Sequence, residues 1–350
     1  MDLIKIIHEF QVEGVISSVE PYGEGHINQT YLATGDKKRY ILQKINTKLF
    51  TEPDKLMFNI KEVTEWICKV HEKQGLSTDR LLKIVPTKNG DDFLQNEDGA
   101  FRVYDFIENA TSHQQADEKK FYQSAVAFGQ FAEDLSAFDA SVLHDVLPFF
   151  HDTTVRFSAF EKAVNTDMVG RKASCQAEID FYMERKKYCD MIVSRLADGR
   201  LPLRVTHNDT KLNNVMLDDA TDKPVAVIDL DTVMPGSVCY DFGDSIRFGC
   251  NTGAEDEPNL DKVHFSLPLY KSYLKGYLST FKTLTDEEKK MLPYGAIIMT
   301  YECGMRFLTD YLQGDTYFRT SRENQNLDRC RTHIRLIEEM EANFDEMQVK

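Results

Sequence analysis

The 350-residue chain is short of basic charge: 42 Lys and Arg stand against 57 Asp and Glu, a formal net charge of −15. Nucleic-acid binders draw most of their affinity from cationic contacts to phosphate, so this balance argues against one. Apolar runs are short as well, and none approaches the roughly 20 residues that a helix needs to cross a bilayer. The seven cysteines are scattered, odd in number and form no C-x-x-C pair, which excludes a zinc ribbon or a disulfide framework and suits a reducing compartment. Only 18 glycines and 10 prolines are present, and no segment has the biased composition of a disordered tail. The first residues, MDLIKIIHEFQVEG, carry too much charge for a secretory signal. The expectation from these absences is a folded cytoplasmic protein with no membrane and no nucleic-acid partner.

What is present falls into two halves. Residues 15–107 alternate strand-like runs with turns: VISSVEPY, the glycine turn GEG, HINQTYLAT, GDKK and RYILQKIN. A helix follows from Pro53, with Leu56, Ile60, Val63, Ile67 and Val70 on one face and Gly75 at its end. Two further strands are expected within residues 83–108. Beyond about residue 113 helical spacing takes over, with Phe121, Ala125, Phe128, Ala132, Leu135 and Phe138 forming one apolar face. A second helix is expected from Cys175 to Gly199, and a third opens with a Thr285–Glu288 capping box. A last amphipathic helix carries Leu327, Cys330, Ile334, Ile337 and Met340. The pattern predicts an α+β chain, with a small β-rich lobe over residues 1–107 and a larger, mainly helical lobe over 108–350. A ligand is expected in the cleft between them.

The chemistry is concentrated in VTHNDTKLNNVMLDD, residues 205–219, and in PVAVIDLDT directly after it. Phosphoryl transfer from a nucleotide asks for a carboxylate to take the acceptor's proton, oxygen ligands for Mg²⁺, and a cation near the moving phosphoryl group. Asp209 supplies the base and Lys211 the cation. Asn214 and Asp229 supply oxygen ligands for the metal. Asp231, two residues on along an extended chain, points to the same side and serves the metal directly or through water. His207 props the loop. Either piece alone is more simply a turn and a solvated acid at a strand end; it is their order and spacing that point to catalysis.

With PYGEGHINQTYL, YILQKIN, RVYDFIE, YDFGDSIR and ECGMRFLTDYLQGDTYF added, the chain resembles the aminoglycoside phosphotransferase and choline kinase superfamily, and within it the N-acetylhexosamine 1-kinases. The resemblance spans residues 21–318 and implies a bilobal, protein-kinase-like fold using ATP and Mg²⁺. The implied reaction is phosphorylation of the anomeric hydroxyl of N-acetylglucosamine or N-acetylgalactosamine, by a monomer or weak homodimer. It places Gly23 and Gly25 over the ATP phosphates and the adenine against backbone from Asp105 to Ile107. It puts Gln43 where such enzymes carry a phosphate-holding lysine, with Lys44 next door. Either a bulge turns Lys44 inward or Gln43 acts in its place. Glu62 and Glu65 are the candidate partners on the following helix. His26, Thr232, Phe248, Arg306 and Tyr317 are the implied sugar contacts. Asp241 and Asp244 either brace the catalytic loop or cap a helix, and Arg247 sits at the cleft or on the surface. Two other readings stay open: the same chemistry on an aminoglycoside, choline or homoserine, and a nucleotide-binding pseudokinase. A cationic acceptor would draw on acids at the cleft mouth, where AEDE at 254–257 is the obvious cluster.

Overall fold

The computed structural model describes residues 1–23, 27–114 and 117–349. Its first part is an antiparallel sheet built from β1 (Ile16–Pro21), β2 (Gln29–Gly35), β3 (Arg39–Lys44), β4 (Ile84–Val85), β5 (Leu94–Asn96) and β6 (Gly99–Asp105). The order is β1-β2-β3-β6-β4, with β5 paired to β6. Strand alternation decides which side chains meet the ligand. Tyr40, Leu42, Phe101 and Val103 bury one face against Ile6, Ile7 and Phe10, while Ile41, Gln43, Arg102 and Tyr104 turn to the other, where the cleft lies.

The helix Pro53–Gln74 packs on the cleft-side face of the sheet and ends at Gly75, whose φ of 69° is the left-handed conformation that a glycine takes without penalty. Leu56, Met57, Ile60 and Val63 bury its face against Ala100 and Tyr104 of the sheet, and against Phe131, Val205, Leu230 and Val233 from the helical part. Asn59 locks the same helix in place: its amide nitrogen donates to the carbonyls of His144 (2.8 Å) and Val233 (2.9 Å), and its oxygen accepts the His144 N–H (2.8 Å). A strip of strand, β7 (Ala110–Thr111), leads out of the sheet and pairs with the chain that carries the catalytic loop.

The remainder is helical, with the small strands β8 (Arg204–Thr206), β9 (Val215–Asp218), β10 (Pro224–Val227) and β11 (Met234–Gly236) inserted at the cleft. β10-β9-β7 form one ribbon and β11-β8 another. The expected capping box is present: Glu288 N–H donates to Thr285 Oγ1 and Thr285 N–H to Glu288, opening the 28-residue helix Asp286–Gln313. One helical expectation fails. The chain from Gln176 to Ala197 is not continuous but breaks into Gln176–Glu184, a 3₁₀ turn at Lys186–Tyr188, and Val193–Ala197. Arg185 and Tyr188 at the break both bind Glu341 of the helix Gln325–Ala342, and that shared anchor bends the chain away from a straight course. Among the described residues no helix is long and apolar enough to cross a membrane, and all seven cysteines are free thiols.

The helix Val238–Gly249 rests on Asp286–Gln313 through two glycines. A Cβ on Gly243 would stand 2.2 Å from the Gly295 carbonyl oxygen, and one on Gly295 would stand 2.3 Å from that of Cys239. Backbone on both sides leaves nothing flexible to yield. A Gly295→Ala protein should therefore lose about 1–3 kcal/mol, against the usual gain for such a change in a helix. Chemical denaturation of the two proteins would measure it, and equal or higher stability would contradict the close approach.

Candidate active site

The cleft between sheet and helices has a volume of about 540 Å³. Thr30, Ile41, Gln43, Arg102 and Tyr104 line it from above, Asn213, Asn214, Met216, Ile228 and Asp229 from below, and Asp105, Phe106 and Ile107 close the back. That size is within the range of small-molecule and cofactor sites.

The floor is the loop between β8 and β9. Its backbone donors have no ladder to join, so buried side chains take them. Asp241, in the first turn of Val238–Gly249, accepts the N–H of His207 (2.8 Å) on one oxygen and of Asn208 (2.7 Å) on the other. Ser237 caps that helix, which leaves Asp241 to brace the loop. Burial pushes the Asp241 carboxyl up to about 6, against the opposing pull of His207 and these two N–H groups. Asn208 adopts φ = 64° and its amide donates to Thr232 O at 2.8 Å. His207 is fully buried between Phe128 and Phe131. Its Nε2 meets the Ile228 carbonyl (2.9 Å), and Nδ1 accepts the Asp209 N–H (3.3 Å). Both ring nitrogens are taken by backbone, so His207 holds the loop and has no atom left for chemistry. His151 adds a second brace, reaching Asn208 O at 3.4 Å while Glu302 holds its other nitrogen at 2.9 Å.

This frame holds Asp209 beside Asn214, which lines the cleft. Lys211 Nζ lies 2.7 Å from its Oδ1, and Asn214 Nδ2 is 3.1 Å from its Oδ2 and 2.7 Å from its backbone carbonyl. Burial works against the charge on Lys211, but Asp209 and Asp244 hold its ammonium above the usual range. With the Asn214 nitrogen engaged twice, its side-chain oxygen is the acceptor that remains. Asp229 sits across from it at φ = 59°, a left-handed turn that ends β10 and opens a 3₁₀ turn at Leu230–Thr232. Deep placement in protein, with Asp231 and Asp209 nearby, pushes the Asp229 carboxyl up to about 6, even though its side chain opens into the cleft. Repelling carboxylates and a free amide oxygen are a donor set that fits a hard divalent cation.

Several expected residues have partners that the sequence did not show. Asp231, expected beside the metal, meets groups from the sheet part. The turn at Asp229 breaks the extended geometry on which that expectation rested, and the Asp231 carboxylate is taken by Arg102 Nη2 (2.5 Å) and Asn28 Nδ2 (2.6 Å). Lys44 does not reach the cleft. β3 keeps an unbroken register with β2 and β6, so no bulge turns it, and its ammonium lies over Phe101 on the far face. Gln43 takes the inward position, accepting Arg102 Nε (2.9 Å) and donating to Thr30 Oγ1 (3.0 Å). Neither Glu62 nor Glu65 lines the cleft, and Glu65 faces Lys69 on its own helix. Thr232 donates its hydroxyl to His207 O at 2.6 Å, so it belongs to the loop's scaffold. Gly23 lines the cleft mouth at φ = 74°; Gly25 and His26 lie outside the described residues. Asp105 and Ile107 line the back wall, where the Asp105 N–H is spent on Lys83 O and that of Phe106 on Arg39 O. Arg306 and Tyr317 come together, Nη2 to hydroxyl 3.5 Å, because Asp310 accepts the N–H groups of Thr316, Tyr317 and Phe318 and folds that loop back on the helix. Phe248 is half exposed at the end of its helix. Arg247 is buried and donates from Nε and Nη2 to one oxygen of Asp244, with Glu255 beyond it.

The sequence reading missed Arg102. An arginine in the middle of the apolar strand AFRVYDF was the available signal, and it passed as part of the run linking the lobes.

The sequence profile of the phosphotransferase enzyme family matches residues 18–273, most of the chain. The chain belongs to that family. Solved structures agree on the fold across almost the whole length at low identity. An aminoglycoside phosphotransferase from Alicyclobacillus acidocaldarius aligns with a TM-score of 0.65 at 13% identity, over 98% of this chain and 94% of that one. The choline kinase LicA of Streptococcus pneumoniae gives 0.53 at 16%, over 93% and 94%. A spectinomycin phosphotransferase, solved with ADP and spectinomycin, gives 0.55 at 14%, over 98% and 97%. This phosphotransferase therefore has the α+β, kinase-like architecture that the order of its elements implied.

Proposed function

We propose that this phosphotransferase moves the γ-phosphate of ATP to the anomeric hydroxyl of an N-acetylhexosamine, leaving ADP and a sugar 1-phosphate. The observation that carries the reading is the Asp209 carboxylate, fixed between Lys211 and the cleft-lining Asn214 and near enough to Asp229 to act on its charge. The sheet part, residues 1–107, holds the nucleotide, with adenine toward Ile107 and the phosphates beneath Gly23 and Gln43. The part from 108 onward holds the acceptor. Asn214 and Asp229 would hold Mg²⁺, which when bound neutralises charge on the phosphate oxygens. As the sugar oxygen bonds to phosphorus and the bond to the ADP oxygen breaks, the hydroxyl proton passes to Asp209. Lys211 keeps a positive charge beside the transferring group.

The surroundings favour a neutral acceptor over a cationic one. The acids of the 254–257 cluster are already engaged: Glu255 by Arg247 and Arg329, Asp256 by Arg322 and Gln325. With these acids paired, the cluster offers no free carboxylate set for a cationic acceptor. Arg306, Tyr317 and Phe248 are the proposed sugar contacts. ADP release with Mg-ATP, measured against N-acetylglucosamine, N-acetylgalactosamine, choline and an aminoglycoside, tests this directly. Stimulation by a hexosamine and not by the cations is the expected result. Stimulation by choline alone would keep the chemistry and discard the sugar, and binding of ATP with no turnover on any acceptor would point to a pseudokinase.

A further inference from the structure

We propose that Arg102 is the residue that grips the nucleotide's diphosphate, replacing the strand lysine that β3 lacks, with Asp231 as its partner from the opposite lobe. The assignment rests on the ATP-dependent reading above and adds a contact to it.

Arg102 is almost wholly enclosed, 1% exposed, yet it lines the cleft that Gln43 and Asp229 also line. A guanidinium carries five N–H donors. Nε uses its one on Gln43 Oε1 at 2.9 Å, and Nη2 is 2.5 Å from Asp231 Oδ1. Nη1, buried, has no hydrogen-bond partner among the described residues. Native proteins rarely leave a charged donor so, because the desolvation is uncompensated. A buried ion pair serving stability alone would do as well or better as two packed apolar residues. The unpaired Nη1 is therefore explained by an anion that arrives in the cleft. The neighbouring residues fit that occupant. Gln43 and Asn28 fix the guanidinium and its carboxylate from two directions, and Tyr104 lies beneath the guanidinium at 5.3 Å. A planar guanidinium held on two sides, with its third corner unpaired, suits a phosphate oxygen. Its position on β6, directly opposite Gln43 in the register, puts the charge one strand over from the place where a strand lysine would stand.

The test compares ADP with adenosine, by calorimetry in Mg²⁺ buffer, on wild type, Arg102→Lys, Arg102→Met and the charge-neutral double variant Arg102→Met/Asp231→Asn. The double variant avoids stranding a buried carboxylate. A phosphate contact predicts that Arg102→Met and the double variant lose about 10- to 100-fold in ADP affinity while adenosine binds as before. Arg102→Lys should recover part of that loss. Unchanged ADP affinity in the double variant would overturn the assignment. So would equal loss of ADP and adenosine, since that makes Arg102 a residue of the fold alone. A wild-type protein that binds neither ligand would remove the nucleotide reading itself, a distinct outcome.

Discussion

An Asp209→Asn protein should lose about 10²–10⁴-fold in kcat while binding ADP as wild type does. That range is what removal of a positioned proton acceptor commonly costs, about 3–5 kcal/mol of transition-state stabilisation. The change is close to isosteric. The backbone carbonyl of residue 209 still accepts Asn214 Nδ2, and the new amide can offer its oxygen where Oδ2 stood, so the loop should keep its shape. Lys211 loses the carboxylate partner of its ammonium, but the second acid acting on it, Asp244, remains. Single-turnover phosphate transfer to the hexosamine, paired with ADP titration, separates chemistry from binding. A mutant within twofold of wild type would mean that Asp209 is a solvated turn acid and that the base lies elsewhere.

Replacing Asp241 by Asn should be nearly as damaging by a different route. Each Asp241 oxygen receives one backbone N–H from the catalytic loop, in a site that water does not reach. An amide can answer only one of them and turns its own donors on the other. A buried donor left unsatisfied costs about 1–3 kcal/mol, and a donor facing a donor more. A loss of about 2–4 kcal/mol in unfolding free energy is expected, read from denaturant titration, with kcat lowered because Asp209 hangs from this loop. Asp241→Asn with full stability would show that the loop is held by Thr232, Asn208 and His151 alone.

The parts of the site that the sequence disclosed are those set by local order. His207, Asp209, Lys211 and Asn214 lie within eight residues, so one loop had to carry them wherever it went. The face of the helix from Pro53, the Thr285–Glu288 box and the closing amphipathic helix were legible for the same reason: each depends on neighbours three or four positions away. What failed depended on partners far along the chain. Nothing near Asp231 in the chain shows that Arg102, 129 positions earlier, lies against it. Lys44 stays ambiguous until the register with β2 and β6 proves regular. The straight helix expected up to Gly199 bends because Glu341, far down the chain, binds both Arg185 and Tyr188. Thr232 and Asp241 divide in the same way, since nothing local says which backbone group a buried oxygen will meet.

Asn59 has a consequence for how the protein behaves over time. In protein kinases the helix that follows the third strand is the element whose position control mechanisms change. Here that helix is tied by three hydrogen bonds to His144 and Val233, inside an apolar layer shared by both lobes. To swing away it would have to break all of these at once. A phosphotransferase whose helix is held this way is expected to show no lag when its substrates are mixed.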